Sequence, residues 1–357
     1  MDERQLTFLR ELTGAPGPSG YEGPVRAVWR ASTQEFAAET FVDAHGSVSA
    51  LVHAGGTPRV MLAGHIDEIG LMISMIDEHG FLWIVPIGGH DPAILVGQRV
   101  YVHGRNGSIL GVIGRKPIHL MKSEDRKAEV QISSLWIDIG ATDLADAESV
   151  VRVGDPVTLC GSLEHLRGDL LVSKAFDDRV GAYVAAEVAR AVATAPGEAA
   201  VYAVGTCQEE IGYRGAITSA QRINPDVAIA IDVGFGLDHP SVDEEKKRHN
   251  TSALGKGPLI ARGPNINPVV FEHLVAAAES ASIPYQIDPT PGESGTDSWA
   301  IQVAHQGVAT GLVSVPVRYM HSPVEVLSTA DLDRAVELLV AFIRRLGPTS
   351  NFVEKYP

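Results

Sequence analysis

A chain of 357 residues is long enough to bury a proper hydrophobic core, and its length favours two domains over one. A formal net charge of −15 argues against nucleic acid or an anionic membrane as a partner, because both are bound through basic patches. No stretch approaches the roughly 18 uninterrupted apolar residues of a membrane span, and the opening MDERQLTFLREL lacks the apolar core of a signal peptide, so a cytoplasmic protein is expected.

Leu6, Leu9 and Leu12 recur at helical spacing in the segment from Arg4 to Leu12, and GAPGPSG stops that helix. A second helix is expected from Pro24, a suitable first helical residue, toward Phe36. The segment from Phe41 to His53 alternates around a turn at His45-Gly46 and reads as strands. Arg59 to Ala63 reads as a buried strand that delivers Gly64-His65-Ile66-Asp67 at its end. Two residues apart on an extended chain, His65 and Asp67 share one face.

From Gly70 to about Cys160 the character changes. Short β-like runs such as LMISMI, FLWIVPI and RVYVHG are separated by turns such as Asn106-Gly107, which predicts a small all-β unit with one helix over Thr142 to Glu148. An Ala-rich helix follows from Phe176 to Arg190, with Asp177 or Asp178 near its start, where a carboxylate is favoured. Strand and helix then alternate through AAVYAVGTC, GAITSAQRI and DVAIAIDVG, a charged loop from Leu237 to Lys256, and a helix from about Pro268 to Ser282. YQIDPT, GTDSWAIQVAHQ and VATGLVSV lead to Tyr319-Met320-His321-Ser322-Pro323. The last helix has an apolar stripe from Leu332 to Leu346, and Ser328 with Asp331 fits a capping box. The expected fold class is α/β, with a mostly parallel sheet covered on both faces and a small all-β unit inserted.

Five segments place His, Asp or Glu just beyond an apolar strand or at a helix start: His65 with Asp67, Asp177 with Asp178, Glu209 with Glu210, Asp232, and His321. Taken singly, Asp177 reads as a helix cap, His65 and His321 as polar residues after strands, and Glu209 and Glu210 as solvated charge. Asp232 closes a buried run, where an unpaired charge is costly. Together they form a mixed imidazole and carboxylate set that suits zinc, cobalt or manganese better than calcium. Two such ions, about 3.5 to 4 Å apart, can share a carboxylate and lower the pKa of a water. Neighbouring residues leaving a strand point to different sides, so one of Glu209 and Glu210 can hold a metal while the other faces substrate.

The ordered motifs GHIDEIG, FDDRVG, TCQEEIG, AIDVG, GTD and MHSP, with a β-rich insertion after the first, resemble the tetrahedral (TET) metalloaminopeptidases, the glutamyl and deblocking aminopeptidase family also labelled cellulase M. The resemblance implies a zinc-peptidase-like catalytic domain over residues 1–69 and 164–357 and a PDZ-like dimerisation domain over residues 70–163. It implies two divalent metal ions per subunit, zinc or cobalt. His65 and Asp232 would bind one, Glu210 and His321 the other, and Asp177 would bridge them. Glu209 would be the general base and Asp67 would orient His65, while Asp178, often Asn in the family, would be local support. It further implies short peptides as substrates and a hollow dodecamer built from dimers.

Some residues stay outside these roles. Thr296 and Asp297 match the GTD motif but equally suit a helix cap, and His119 reads as a surface histidine. Cys160 and Cys207 lack zinc-finger or redox spacing, and Cys207 has no adjacent histidine to suggest a nucleophile. The sequence departs from the family pattern at Ser47 and Ser298, where Asn and Ala are usual. Two other functions compete: a glycosidase using Glu209 and Glu210 as acid and base, and a metal-binding assembly protein without activity. The first requires carboxyls about 5 to 9.5 Å apart flanking a sugar bond, for which adjacent residues at one strand end are poorly placed.

Overall fold

The structure, a computed structural model, describes residues 1–354 apart from 125 and 196. Strands β1 (Glu39–Val42), β2 (Val48–Val52) and β3 (Arg59–His65) open the central sheet. The chain then leaves it to form a closed barrel of β4 (Gly70–Ile76), β5 (Leu82–Ile87), β6 (Arg99–Gly104), β7 (Gly107–Gly114), β8 (Trp136–Asp138) and β9 (Pro156–Leu159), paired antiparallel. It returns through β10 (Glu164–His165) and β11 (Leu170–Ser173). The central sheet then gains β12 (Ala200–Thr206), β13 (Val227–Phe235), β14 (Leu259–Arg262), β15 (Gln286–Pro289) and β16 (Ala309–Val317). Finally β17 (Glu325–Ser328) pairs with β11 in a small three-stranded sheet.

The eight strands of the central sheet lie in the order β1-β2-β12-β3-β13-β16-β14-β15. Its middle four, β12-β3-β13-β16, run parallel, and antiparallel pairings occur only toward the edges. The uninterrupted apolar character of β3 follows from burial on both faces. Val60 and Leu62 enter the larger core beneath the helix Phe176–Ala193, while Met61 and Ala63 pack on the other side against Ala216 and Ala220 of the helix Arg214–Ile223. The barrel has a core of its own, built on Leu71, Ile73, Ile84, Val100, Val102 and Ile137.

Close approach of the helix Phe176–Ala193 to β3 depends on two glycines. A Cβ on Gly64 would overlap the backbone of Gly181 and Ala182, and one on Gly181 would overlap Asp178 and the Ile231 carbonyl. Parallel register does the rest. Thr206 pairs with His65 and Ala230 with Ala63, so two residues further along each strand His65 and Asp232 stand level at the carboxyl edge of the sheet.

Several local expectations are corrected. The second helix, Gly23–Thr33, ends before Phe36. The charged loop contains a helix, Asp243–His249, whose acids lie in the first turn and bases in the last, as the helix dipole favours. The capping box of the last helix does not form. The Ser328 hydroxyl donates to Asp169, and the Asp331 carboxylate accepts the backbone N–H groups of Gly255 and Gly257 instead.

Candidate metal centre

Asp177 lies at the middle of the cluster that forms at the carboxyl edge of the sheet, where open α/β sheets bind ligands. Its Oδ1 is 3.1 Å from Nε2 of His65 and its Oδ2 is 3.1 Å from Nε2 of His321. One carboxylate therefore spans two imidazoles. Glu209 Oε2 lies 3.7 Å from His65 Nε2, and Glu210 Oε1 lies 3.3 Å from His321 Nε2. Ligating atoms of His65, Asp177 and Glu210 all lie within 4.8 Å of one another, as do those of His65, Asp178 and Asp232.

Both histidines are held from behind. His65 Nδ1 faces Asp67, 3.2 Å from its backbone carbonyl oxygen and 3.5 Å from Oδ1. His321 Nδ1 is 2.9 Å from the carbonyl oxygen of Gly89, in the turn after β5 of the barrel. A carbonyl only accepts, so Nδ1 carries a proton and Nε2 is the nitrogen left facing the cluster, where a neutral ring would offer a metal its lone pair. Asp67 also fixes the Gln208-Glu209-Glu210 turn: its carboxylate accepts the N–H of Glu209 at 3.1 Å and of Glu210 at 3.2 Å, and the Ser19 hydroxyl at 2.6 Å.

Asp178 is differently engaged. Its Oδ2 accepts the backbone N–H of His65 at 3.0 Å, and its Oδ1 accepts that of Gly181 at 2.9 Å. Both oxygens thus tie β3 to the helix. Neither Asp177 nor Asp178 has helical backbone angles, so the regular part of the helix starts after them, and the Asp178 bond to the N–H of Gly181, three residues on, is its aspartate cap.

The donor set fits divalent cations electrostatically as well as chemically. Burial raises the carboxyl pKa values of Asp178, Asp232 and Glu210, and neighbouring carboxylates add to each. Burial, with Asp232, Asp297 and Glu210 nearby, pushes Glu209 up to about 10 despite the opposing pull of His65. Glu209 Oε1 is buried without a protein partner. The His321 ring shifts upward too: burial disfavours its charge, but Asp177 and Glu210 outweigh it and raise its pKa to about 11. Crowded carboxylates that draw protons onto themselves and onto imidazoles are the mark of a site lacking positive charge.

Three contributors were missed from sequence. Glu325, buried at the start of β17, accepts the N–H of His321 at 2.8 Å and of Asp177 at 3.1 Å. Ser19 and the Gly89 carbonyl are the others. A signal existed for Glu325 alone, an acid four residues after His321 leading an apolar run.

The remaining singled-out residues lie outside the cluster's direct contacts. Thr296 caps the short helix Asp297–Ile301 through the Ser298 N–H. Asp297 is buried behind β12, accepts the Thr206 hydroxyl, and is pushed up to about 6 by burial. Both cysteines are free, and burial pushes the Cys207 thiol up to about 12, which makes it a poor nucleophile. His119 sits on an exposed turn, Ile118–Leu120. Ser47 accepts from the Cys207 N–H, and Ser298 joins the hydroxyls of Ser294 and Thr296.

A cavity of about 350 Å³ opens directly on His65, Asp177, Glu209, Glu210, Asp232 and His321. The sequence profile of the M42 glutamyl aminopeptidase family matches residues 46–338. The chain belongs to the M42 aminopeptidase family. It is 35% identical to a lysyl aminopeptidase of Pyrococcus furiosus over 96% of this chain and 97% of that relative. The TET aminopeptidase of a marine-sediment Thaumarchaeota archaeon matches with a TM-score of 0.92 at 34% identity, covering 97% of both chains. A Pyrococcus horikoshii TET1 peptidase, which can assemble into a tetrahedron or a large octahedral shell, matches with a TM-score of 0.86 at 32% identity, over 96% of this chain and 100% of that one. This M42 chain is a peptidase hydrolase, of a family of metallopeptidases.

Proposed function

We propose that the chain is a binuclear metalloaminopeptidase that removes amino-terminal residues from short peptides. One observation carries the reading: the two oxygens of Asp177 each lie 3.1 Å from a different imidazole, the disposition required of a carboxylate shared between two ions. His65 and Asp232 would hold one ion and Glu210 and His321 the other, with zinc or cobalt favoured by the mixed donors. When bound, such ions polarise a peptide carbonyl and lower the pKa of water.

The chain's own residues supply the rest. Glu209 accepts the proton of the attacking water and returns it to the leaving amine. Asp67 orients His65 and anchors the backbone of Glu209, so the base and a ligand are set by one carboxylate. Asp178 holds β3 against the helix.

The same reading divides the chain into a catalytic domain, residues 1–69 and 164–357, and an inserted dimerisation domain, residues 70–163. The solved TET relatives, one of them a dodecamer, support a homo-oligomer, and the same reading has it built from dimers. Among the described residues no helix is long and apolar enough to cross a membrane, which is compatible with a cytoplasmic enzyme.

A panel of aminoacyl-p-nitroanilides, run on chelator-treated and metal-restored protein with the bound ions counted by plasma emission spectrometry, tests this reading. Two ions per subunit and metal-dependent release of nitroaniline are expected. Full activity after chelation, or a single ion per subunit at saturation, would overturn it.

A further inference from the structure

The cavity beside the metal centre has a second wall that the chemistry does not use. It is formed by Phe235 at the end of β13, His249 at the end of the helix Asp243–His249, Asp288 on β15, and Glu293 in the loop that follows, with Leu312 and Met320 contributing apolar surface. Phe235 and His249 pack edge to face at 5.5 Å between ring centroids. No lysine or arginine lines the cavity among the described residues, and His249 is its only basic group besides the proposed ligands.

We propose that this wall binds the amino-terminal side chain of the substrate and selects a cationic one, lysine or arginine, through Asp288 and Glu293. The inference rests on the aminopeptidase reading. In that reading Asp177, Glu210 and Asp232 are taken up by the metal ions and Glu209 by the water, so the carboxylates left on the cavity wall for a side chain are Asp288 and Glu293. Neither makes an ion pair with a lysine or arginine among the described residues, and each can accept one from a ligand. Burial raises the Asp288 carboxyl above its ordinary range with only His249 opposing, a cost that an incoming cation relieves. The lining also suits these side chains: a long alkyl stem can lie along Phe235, Leu312 and Met320 while the charged head reaches the acids. A glutamyl side chain would meet like charge in the same place.

The test compares kcat/KM for lysyl-, arginyl-, leucyl- and glutamyl-p-nitroanilide on the metal-loaded enzyme and on Asp288→Asn, Asp288→Lys and Glu293→Gln. The wild type should favour the two basic substrates over leucyl and reject glutamyl. Asp288→Asn should lower the lysyl-to-leucyl ratio by about tenfold or more, as loss of a charge-assisted contact does, and Asp288→Lys should raise glutamyl relative to lysyl turnover. Glu293 is exposed, so its substitution keeps the test open if an Asp288 variant fails to fold. A leucyl or glutamyl preference in the wild type overturns the assignment. So does an Asp288→Asn loss equal for all substrates, which would place the acids on the common α-ammonium group. Failure to cleave any aminoacyl substrate with metal present would instead sink the underlying aminopeptidase reading.

Discussion

Replacing Glu325 by glutamine isolates a residue that touches neither substrate nor metal and yet controls both halves of the proposed centre. Its two carboxylate oxygens accept two different backbone N–H groups, His321 at 2.8 Å and Asp177 at 3.1 Å. Glutamine offers a single acceptor oxygen, and its NH2 would face the second N–H, donor against donor. Either Asp177 or His321 then loses its anchor. Loss of one buried hydrogen bond to a charged acceptor is worth about 1.5 to 3 kcal/mol, or roughly ten- to a hundredfold in a binding constant. Because the released residue is a proposed ligand, the loss should fall on metal affinity. Competition against a chromophoric chelator should show one ion of the pair weakened by that factor, with turnover recovering as metal is raised. If Glu325→Gln binds both ions as the wild type does and only melts earlier, Glu325 is a packing residue and the reasoning fails.

Glu209→Gln should retain both ions and lose about two to four orders of magnitude in kcat, since only proton transfer is removed; metal content and turnover measured on one preparation check this. Gly64→Ala places a methyl against the backbone of Gly181 and Ala182, so it should cost about 1 to 3 kcal/mol of stability and lower metal occupancy, read by thermal unfolding and metal analysis. Glu68→Gln breaks buried pairs to Lys174 and Arg179 and should cost about 3 to 5 kcal/mol, measured by chemical denaturation of the metal-free protein; a loss below 1 kcal/mol would refute the pairing.

The catalytic half of the sheet was legible because its strands are buried on both faces. β3, β12 and β13 read as largely apolar runs, and the polar groups that end, follow or interrupt them, His65, Glu209, Glu210 and Asp232, are conspicuous for that reason. Short elements gave no such contrast. β10, β11 and β17 have two to four residues each, too few for a period, and β17 pairs with a strand some 150 residues earlier, so Glu325 could not be placed. The capping box at Ser328 failed because tertiary partners, Asp169 for the hydroxyl and the Gly255 and Gly257 N–H groups for Asp331, outcompeted the local pattern. Gly89 acts through its backbone carbonyl, which no side-chain reading can detect.

The point at which the barrel is inserted explains how such a long excursion leaves the centre intact. The chain departs three residues after His65, at Glu68, and is back three residues before Asp177, at Lys174. These two residues form a buried ion pair at 2.6 Å, and Glu68 also pairs with Arg179 at 3.1 Å. Arg179 in turn donates to the carbonyls of Leu12 and Ala15, and the backbone of Glu68 bonds with that of Gly17. The two crossings are therefore fastened to each other and to the first helix, and closing a loop whose ends are already held adds little entropy with length. The fastening also carries information in the other direction. The barrel reaches back through the Gly89 carbonyl to fix the ring of His321, and Tyr21 donates to the Gly154 carbonyl at 2.9 Å. A shift of the barrel would rotate one proposed ligand while Asp67 holds the other in place, so the separation of the two imidazoles across Asp177 is set jointly by both parts of the chain.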